Sequence, residues 1–242
     1  MQFVLMHKQS ADEEAGIHPT PEFMAGMGKL MTDATEAGVF LGGEGLKSSH
    51  HRVRLNIKGD ERTITKGPYA GDNELIAGFA LVKVKSLDEA VDWASRFARV
   101  IGDGEVEVGE VCEAWDLGFM PKPEGPLPTR YLMLHKSDAL SESGAQPSAE
   151  MISQMGALIG DMQKAGVFIA AEGLQPSSKA KRLRYKKGKR VSVTDGPFAE
   201  SKELIAGYSV FELASIDEAV GWADPFGALF DEVEVDIRPL EK

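Results

Sequence analysis

Two carboxylates in one loop of this chain have the residue types needed for acid and base chemistry. The loop TDGPFAESKE, residues 194–203, carries Asp195 and Glu200 on either side of a Gly-Pro step. Paired carboxylates in a pocket act as general acid and base when their surroundings separate their pKa values. The structural alternative is that Asp195 binds nearby backbone N–H groups and only shapes the turn. Both interpretations are open from the sequence.

A basic segment, KAKRLRYKKGKR at residues 179–190, precedes this loop. Arg182 and Arg184 alternate with apolar residues, so both lie on one face of a predicted strand. We expect this face to line a cleft and bind an anionic group, because guanidinium groups match carboxylates and phosphates. The alternative is a charged edge that resists strand association. His135 ends an apolar strand and is a candidate general base, or else a hydrogen-bonded group at the edge of the core.

The loop occurs a second time, which indicates a tandem duplication. Residues 65–74 read TKGPYAGDNE, with Lys66 and Gly71 in place of the acids, and FVLMHK at 3–8 returns as YLMLHK at 131–136. We therefore predict a first repeat with a degenerate motif at 1–117, a proline-rich linker at 118–130 and a second repeat with the intact motif at 131–242. Because the turn survives without its acids, their retention in the second repeat favours a working site there.

Each repeat reads as strand, helix, strands, helix, strand, which predicts an α+β fold of two ferredoxin-like (βαββαβ) repeats. Gly38 and Gly166 follow the first long helices, where a left-handed cap is expected. Ser86 and Ser215 each precede a glutamate by three residues, the spacing of a capping box. A sheet with helices on one face needs a cover on the other. We therefore predict that the two repeats pair inside one chain as a barrel-like pseudo-dimer.

Composition narrows the classes of function. The net charge of -11 disfavours nucleic-acid binding, which needs a positive face against phosphates. The apolar run at the N-terminus is too short for a signal peptide or a membrane span. Cys112, the only cysteine, excludes an intramolecular disulfide and a thiolate metal cluster. We expect a soluble, cytoplasmic protein without metal or cofactor.

The second half resembles the DGPF subgroup of the YCII-related (YciI-like) family. The resemblance is carried by Asp195-Gly-Pro-Phe-Ala-Glu200, by Glu172-Gly173-Leu174 and by the final Arg238-Pro239-Leu240. It extends over both halves and implies a ferredoxin-like unit that pairs into a dimeric α/β barrel. The superfamily includes cofactor-independent oxygenases, dismutases and lyases. Some family members resemble enzymes, whereas DGPF relatives are linked to extracytoplasmic-function sigma factors.

The resemblance also implies a catalytic His and Asp pair, which neither repeat holds in full. Asp224-Pro225-Phe226 matches the pattern around the family's aspartate, but residues 148–150 read Ser-Ala-Glu where the histidine belongs. His18 precedes the first helix of the other repeat.

We therefore predict a small-molecule-binding protein or cofactor-independent enzyme, the alternative being a non-catalytic regulatory or protein-interaction module, for example in sigma-factor regulation. The predicted catalytic residues are Asp195, Glu200 and His135, and the predicted ligand-binding residues are Arg182, Arg184, Glu172 and Asp224.

Overall fold

Strands and helices follow the predicted order in both repeats. The computed structural model describes residues 1–59, 61–102 and 104–241. The elements of the first repeat are β1 (Gln2–Lys8), α1 (Ala11–Glu14), α2 (Pro21–Glu36), β2 (Phe40–Gly45), β3 (Arg52–Lys58), β4 (Glu61–Lys66), β5 (Ile76–Val84), α3 (Leu87–Ile101) and β6 (Gly104–Glu110). The elements of the second repeat are β7 (Thr129–Lys136), α4 (Ala139–Glu142), α5 (Ala149–Lys164), β8 (Phe168–Gly173), β9 (Lys181–Lys186), β10 (Lys189–Asp195), β11 (Ile205–Glu212), α6 (Ile216–Gly227) and β12 (Glu232–Pro239). Short 3-10 turns at Ser49–His51 and Ser177–Lys179 precede β3 and β9.

The helices α3 and α6 begin at the predicted serines. The Ser86 hydroxyl accepts a hydrogen bond from the Glu89 backbone N–H at 3.2 Å, and Ser215 caps α6 in the same way. The Glu89 side chain accepts from the N–H of Lys85, one residue before the cap, at 2.9 Å. The reciprocal half of the predicted capping box is therefore displaced by one residue, although an N-terminal donor is still satisfied.

The long helices α2 and α5 end as predicted and bury a narrow face. Gly38 and Gly166 have φ of 69° and 70°, which confirms the left-handed cap. Ile152 shares the helical spacing of the apolar residues of α5, yet its side chain is exposed. The fully buried residues of α5 are Leu158 and Met162, which pack into the core of the sheet.

Two compact units each combine segments of both repeats. Unit 1 comprises Met1–Gly45 and Leu174–Lys242, and unit 2 comprises Leu46–Gly173. The six-stranded antiparallel sheet of unit 1 has the order β10-β9-β12-β1-β11-β2, and that of unit 2 has the order β4-β3-β6-β7-β5-β8. In unit 1, the first strand of repeat one lies between two strands of repeat two, and in unit 2 the reverse holds.

The boundaries of the sequence repeats and of the compact units therefore differ. The strand-helix-strand segment that opens each repeat completes the sheet of the other repeat. The architecture is mixed α+β, with two six-stranded antiparallel sheets in the described residues, and it is compatible with a duplicated ferredoxin-like fold. In the part of the chain that the structure describes, no helix has the length and apolar character needed to span a membrane.

Alternation along the strands divides each sheet into a helix-covered face and an opposite face. In unit 1, Phe3 and Leu5 of β1 pack in one buried cluster with Ala223 of α6. Lys8 continues the other alternate set and lies on the opposite face. In unit 2, His135 contacts a helix residue and Lys136 has the opposite orientation. Charged residues at strand ends are thus assigned to one face or the other by their register.

Candidate ligand-binding site

The Gly-Pro loop of each repeat is held against the preceding 3-10 turn. A Cβ on Gly196 would lie 1.7 Å from the carbonyl oxygen of Ser177, so only glycine permits this approach. The Phe198 N–H donates to the Ser177 hydroxyl at 3.0 Å. A Cβ on Gly67 would lie equally close to the carbonyl oxygen of Ser49. The loop is therefore repeated for a structural reason that does not depend on its acids.

The aromatic residue of each loop covers an arginine. The guanidinium carbon of Arg182 lies 4.2 Å from the centre of the Phe198 ring, and that of Arg54 lies 4.1 Å from the centre of the Tyr69 ring. These distances are typical of cation-π contacts. Asp236 of the neighbouring strand accepts two hydrogen bonds from Arg182, at 2.7 and 2.9 Å. The bidentate pair fixes the plane of the guanidinium group.

A surface depression of about 340 Å³ lies beside Phe198 in unit 1, and we call it the arginine depression. Its lining residues are Arg182, Arg184, Ser192, Thr194, Pro197, Phe198, Ala199 and Glu200. Arg182 lies opposite Thr194 and Arg184 lies opposite Ser192 in the β9–β10 pairing, so the four side chains share one face. The depression thus combines guanidinium and hydroxyl donors with an aromatic ring, at a volume suited to a small molecule.

Arg184 keeps hydrogen-bond donors available to a ligand. Its side chain is 61% exposed, and its Nε donates to Glu234 at 2.8 Å. The Nη atoms have no partner among the described residues. Arg182 is more fully used, because its Nη1 donates to the main-chain oxygen of Glu200 at 3.1 Å. The Glu200 carboxylate lies 3.2 Å from Lys202 Nζ.

A buried ion pair extends from Arg182 across the sheet. The ammonium of Lys8, whose residue is only 4% exposed, lies 3.1 Å from Oδ2 of the buried Asp236. Burial opposes ionisation of Asp236, but the positive charges of Lys8 and Arg182 outweigh it and lower the pKa of Asp236. Lys8 comes from repeat one and the other two residues from repeat two. The charged site of unit 1 therefore requires both repeats.

Unit 2 contains the same row of charges and one additional buried carboxylate. The places of Arg182, Asp236 and Lys8 are taken in unit 2 by Arg54, Glu107 and Lys136. Glu74 is 1% exposed; one of its oxygens accepts from Arg54 Nη2 at 2.5 Å and the other contacts Lys136 Nζ. Glu203, the counterpart of Glu74 in unit 1, is exposed. In unit 2, the arginine and the lysine are thus bridged by a carboxylate of the chain itself, that of Glu74.

The positions that define the arginine depression also differ in unit 2. Asn56 lies opposite Thr63 on the strand pair where Arg184 lies opposite a serine in unit 1. Gly71 takes the loop position of Glu200. At these equivalent positions, only unit 1 has the second arginine and the acid.

A second buried arginine in each unit comes from different strands. Arg238 of β12 donates from Nε to the carbonyl oxygen of Gln175 at 3.0 Å, and Arg52 of β3 donates to that of Lys47 at 2.8 Å. Arg52 lies opposite Gly109, which holds the place of Arg238 in β6. The equivalent guanidinium groups therefore come from β12 in unit 1 and from β3, the neighbour of the equivalent strand, in unit 2.

Asp195 does not face the arginine depression. Its carboxylate is 77% exposed and lies 2.8 Å from Lys181 Nζ. The same ammonium lies 3.7 Å from Asp217 in the first turn of α6, on the helix-covered side of the sheet. Thr194, the preceding residue, lines the depression. The structure therefore brings Arg182, Arg184 and Glu200 together, without Asp195.

The other predicted site residues lie elsewhere. Asp224 is part of α6 and accepts a hydrogen bond from the Tyr185 hydroxyl at 3.1 Å. His135 belongs to unit 2, where its ring meets Phe97 edge-on with centres 5.8 Å apart, and burial lowers its pKa to about 4. Glu172 lies on β8 of the same unit, and burial raises its pKa.

The sequence contained a signal for four charged residues that are absent from the predicted site. Lysine ends both apolar runs, FVLMHK and YLMLHK, which placed Lys8 and Lys136 at equivalent positions. Glu107 and Asp236 likewise occupy equivalent positions of the last strands, each between two apolar residues. A buried charge kept in both repeats needs a partner, and this rule connects the lysines with the acids.

The donors at the arginine depression favour an anion over a cation. Guanidinium and hydroxyl groups donate hydrogen bonds to carboxylate, phosphate or sulfonate oxygens. Within residues 1–59, 61–102 and 104–241, no group of three or more His, Cys, Asp and Glu side chains is placed to hold a metal ion.

Comparison with known proteins gives one family and one relative of related sequence. The family model described as YCII-related domain matches residues 1–114 and again residues 129–239. The chain is 37% identical over 78 residues to an uncharacterized protein of Rhizobium meliloti (strain 1021). This stretch is 32% of the chain and 62% of the relative, so the chain spans less than two thirds of that relative's length. No solved structure matches the chain.

Proposed function

This chain belongs to the family of proteins with a YCII-related domain, and we propose that it binds a small anionic molecule in the arginine depression of unit 1. The observation that carries the proposal is Arg184, an exposed arginine that a carboxylate holds by Nε alone. Its remaining donors, two hydroxyl groups and the ring of Phe198 converge on one depression. Such a combination fixes the charged end of a ligand and covers its apolar part.

Comparison of the two units supports the assignment to unit 1. The framework of loop, aromatic ring and paired arginine occurs in both units, so these features alone do not indicate a ligand. Asn56 and Gly71 replace the additional arginine and acid in unit 2. A substitution at Arg184 should therefore affect binding without affecting the shared framework.

Isothermal titration calorimetry with benzoate and phenyl phosphate tests the proposal. Both probes combine an aromatic ring with an anionic group. We expect saturable binding of both probes by the wild type. The affinity for phenyl phosphate should fall about tenfold or more in Arg184→Gln, because a hydrogen bond to a charged group contributes about 1.5–3 kcal/mol. Lys186→Gln is the matched control: it removes the same charge from the same strand face, outside the depression.

Equal losses of phenyl phosphate affinity in Arg184→Gln and Lys186→Gln would contradict the proposal, because they would reflect only the lower positive charge of the strand. The absence of saturable binding of either anion by the wild type would also contradict it.

Catalysis is a narrower proposal. Glu200 is the predicted acid that lines the depression, so a proton transfer at a bound ligand would fall to its carboxylate. The proposed enzyme class is cofactor-independent, as the family resemblance implies. Catalytic roles for Asp195 and His135 stay predictions, as do the barrel-like pairing of the sheets, the DGPF subgroup and the cytoplasmic location.

A protein-interaction role is the second candidate function, and the observation that favours it is the exposed edge strand β10. This strand is at the edge of the unit 1 sheet and has Val191 and Val193 exposed. An exposed edge with apolar residues can pair with an added strand of a partner protein. Sigma-factor regulation is the case that the resemblance implies. Recovery of one specific protein with the wild type, and its loss with Val193→Lys, would support this role.

A further inference from the structure

We propose that the ligand of the arginine depression is a carboxylate, and that its two oxygens bridge Arg182 and Lys8 as Glu74 bridges Arg54 and Lys136 in unit 2. The inference rests on the proposed function and identifies the chemical class of its ligand. In effect, unit 2 contains an internal carboxylate at the place where unit 1 would take one from outside.

Glu74 shows what the row of charges binds. Its two oxygens are divided between Arg54 Nη2 and Lys136 Nζ. The same two nitrogens also lie 3.3 and 3.7 Å from Oε2 of Glu107. The arginine and the lysine thus converge on one fixed carboxylate and hold a second one between them. A planar group with two oxygens fits such a pair of donors.

The corresponding donors of unit 1 converge in the same way. Arg182 Nη2 and Lys8 Nζ lie 2.9 and 3.1 Å from the same oxygen, Oδ2 of Asp236. Among the described residues, Asp236 is the one carboxylate within 4 Å of Lys8. A buried ammonium normally has closely paired negative charge or several acceptors. Unit 1 therefore has the same two cations as unit 2 but one bridging carboxylate fewer.

The loop before β11 accounts for the missing carboxylate. Ser201 is the buried polar residue of this segment, whereas Glu203 is exposed. In unit 2, the residue equivalent to Ser201 is the exposed Asp72, and Glu74 is buried. The buried polar residue of this loop is therefore neutral in unit 1 and negatively charged in unit 2. Burial lowers the pKa of Arg182, but the carboxylates of Asp236, Glu234 and, least of the three, Glu203 raise it overall. Removal of the Glu203 charge should therefore favour an external anion.

Arg182 connects the proposed subsite with the open depression. Its guanidinium group lines the depression, contacts the Phe198 ring and reaches Asp236. A ligand carboxylate at Arg182 and Lys8 would leave the ligand body beside Phe198 and Pro197, with Arg184 at the outer side. An aromatic or apolar monocarboxylate matches this order of groups.

Calorimetric titration of benzoate and phenyl phosphate into three variants tests the inference. We expect benzoate affinity to fall at least tenfold in Lys8→Met and to rise about threefold in Glu203→Gln, which removes the competing charge. Because Arg184 would hold phenyl phosphate at the outer side, the affinity for this probe should change less than twofold in Lys8→Met. Lys29→Met on α2 removes an exposed charge from the same unit and should leave both affinities unchanged.

The outcomes separate this inference from the proposed function. If benzoate affinity is unchanged in Lys8→Met, the carboxylate subsite is overturned while the arginine depression stands. If Glu203→Gln weakens benzoate binding, Glu203 is part of the site rather than a competitor, and the inference is also overturned. Binding of neither probe by the wild type would remove both proposals. Since Lys8 is buried, failure of Lys8→Met to fold would leave the exposed Glu203→Gln to decide.

Discussion

In unit 2, the carboxylate of Glu74 is buried between Arg54 and Lys136, whereas in unit 1 the equivalent Glu203 is exposed and the paired cations share Asp236. The loops before β5 and β11 have the same length and the same Gly-Pro step. The difference therefore arises from which side chain the loop buries. A framework with its own internal carboxylate is a structural ion cluster, and we propose that the same framework without it binds the carboxylate of a ligand.

The exchange of segments explains why both repeats are needed. Repeat one has lost the acids and the second arginine of the depression, but it supplies β1 and Lys8 to unit 1. Repeat two in turn supplies β7 and Lys136 to unit 2. The repeat with the degenerate motif therefore supplies a strand and a buried lysine to the unit that contains the proposed site.

The largest expected effect is the loss of the internal carboxylate in unit 2. Glu74→Gln leaves two buried cations with one carboxylate fewer, which typically costs about 3–5 kcal/mol of stability. Glu203→Gln in unit 1 should change the free energy of unfolding by less than about 0.5 kcal/mol, since that side chain is exposed. Urea unfolding at pH 7 measures both. Similar losses in the two variants would mean that the loops are equivalent in solution, and the comparison would then fail.

Acid sensitivity should distinguish the histidines of the two units. Burial lowers the pKa of His135 from 6.5 to about 4, so the unfolded chain binds a proton more readily than the folded chain. The stability that neutral His135 contributes is complete above pH 6.5 and is lost as the pH falls towards 4, by up to about 3 kcal/mol. We expect His135→Phe to remove this loss, as measured by urea unfolding between pH 7 and 4.

His7→Phe is the matched control in unit 1. The Nε2 atom of His7 lies 3.3 Å from Oε1 of Glu13, both in unit 1. The loss of stability between pH 6.5 and 4 should persist in His7→Phe, because this variant keeps His135. If it disappears there and persists in His135→Phe, the assignment to unit 2 is wrong.

Local signals in the sequence predicted the elements and the loop, because each depends on neighbouring residues. Ser86, Gly38 and the Gly-Pro steps behave as their residue types require. The exchange of β1 and β7 could not be predicted in this way. Both repeats open with nearly the same apolar strand, so either strand satisfies the alternation of either sheet.

The candidate site was predictable only where one strand defines it. Arg182 and Arg184 share a face because they are two residues apart, and this was expected. The pairing of Asp195 with Lys181 instead depends on the register of β10 against β9. The choice between Ser201 and Glu203 as the buried residue depends on the packing of the loop.

Substitution of the loop glycines should destabilise both units and affect binding in one. A Cβ at Gly67 or Gly196 would lie 1.7 Å from a carbonyl oxygen, so the loop must move in either variant. We expect Gly67→Ala and Gly196→Ala each to cost about 1–3 kcal/mol in urea unfolding. Benzoate affinity, measured by calorimetry, should fall only in Gly196→Ala. A fall in both variants would place the ligand site outside the depression.

The smallest expected effect concerns Asp195, and it separates the two acids of the loop. The carboxylate of Asp195 is exposed and paired with Lys181 on the helix-covered side, so Asp195→Asn should cost no more than an exposed ion pair contributes, about 0.5 kcal/mol. Its benzoate affinity should equal that of the wild type. Glu200→Gln removes a carboxylate that lines the depression and should tighten anion binding by lowering the local negative charge. Reversal of this pattern would return Asp195 to the site. It would also mean that β10 pairs with β9 in a register that turns this acid to the opposite face, because a shift by one residue exchanges the faces of a strand.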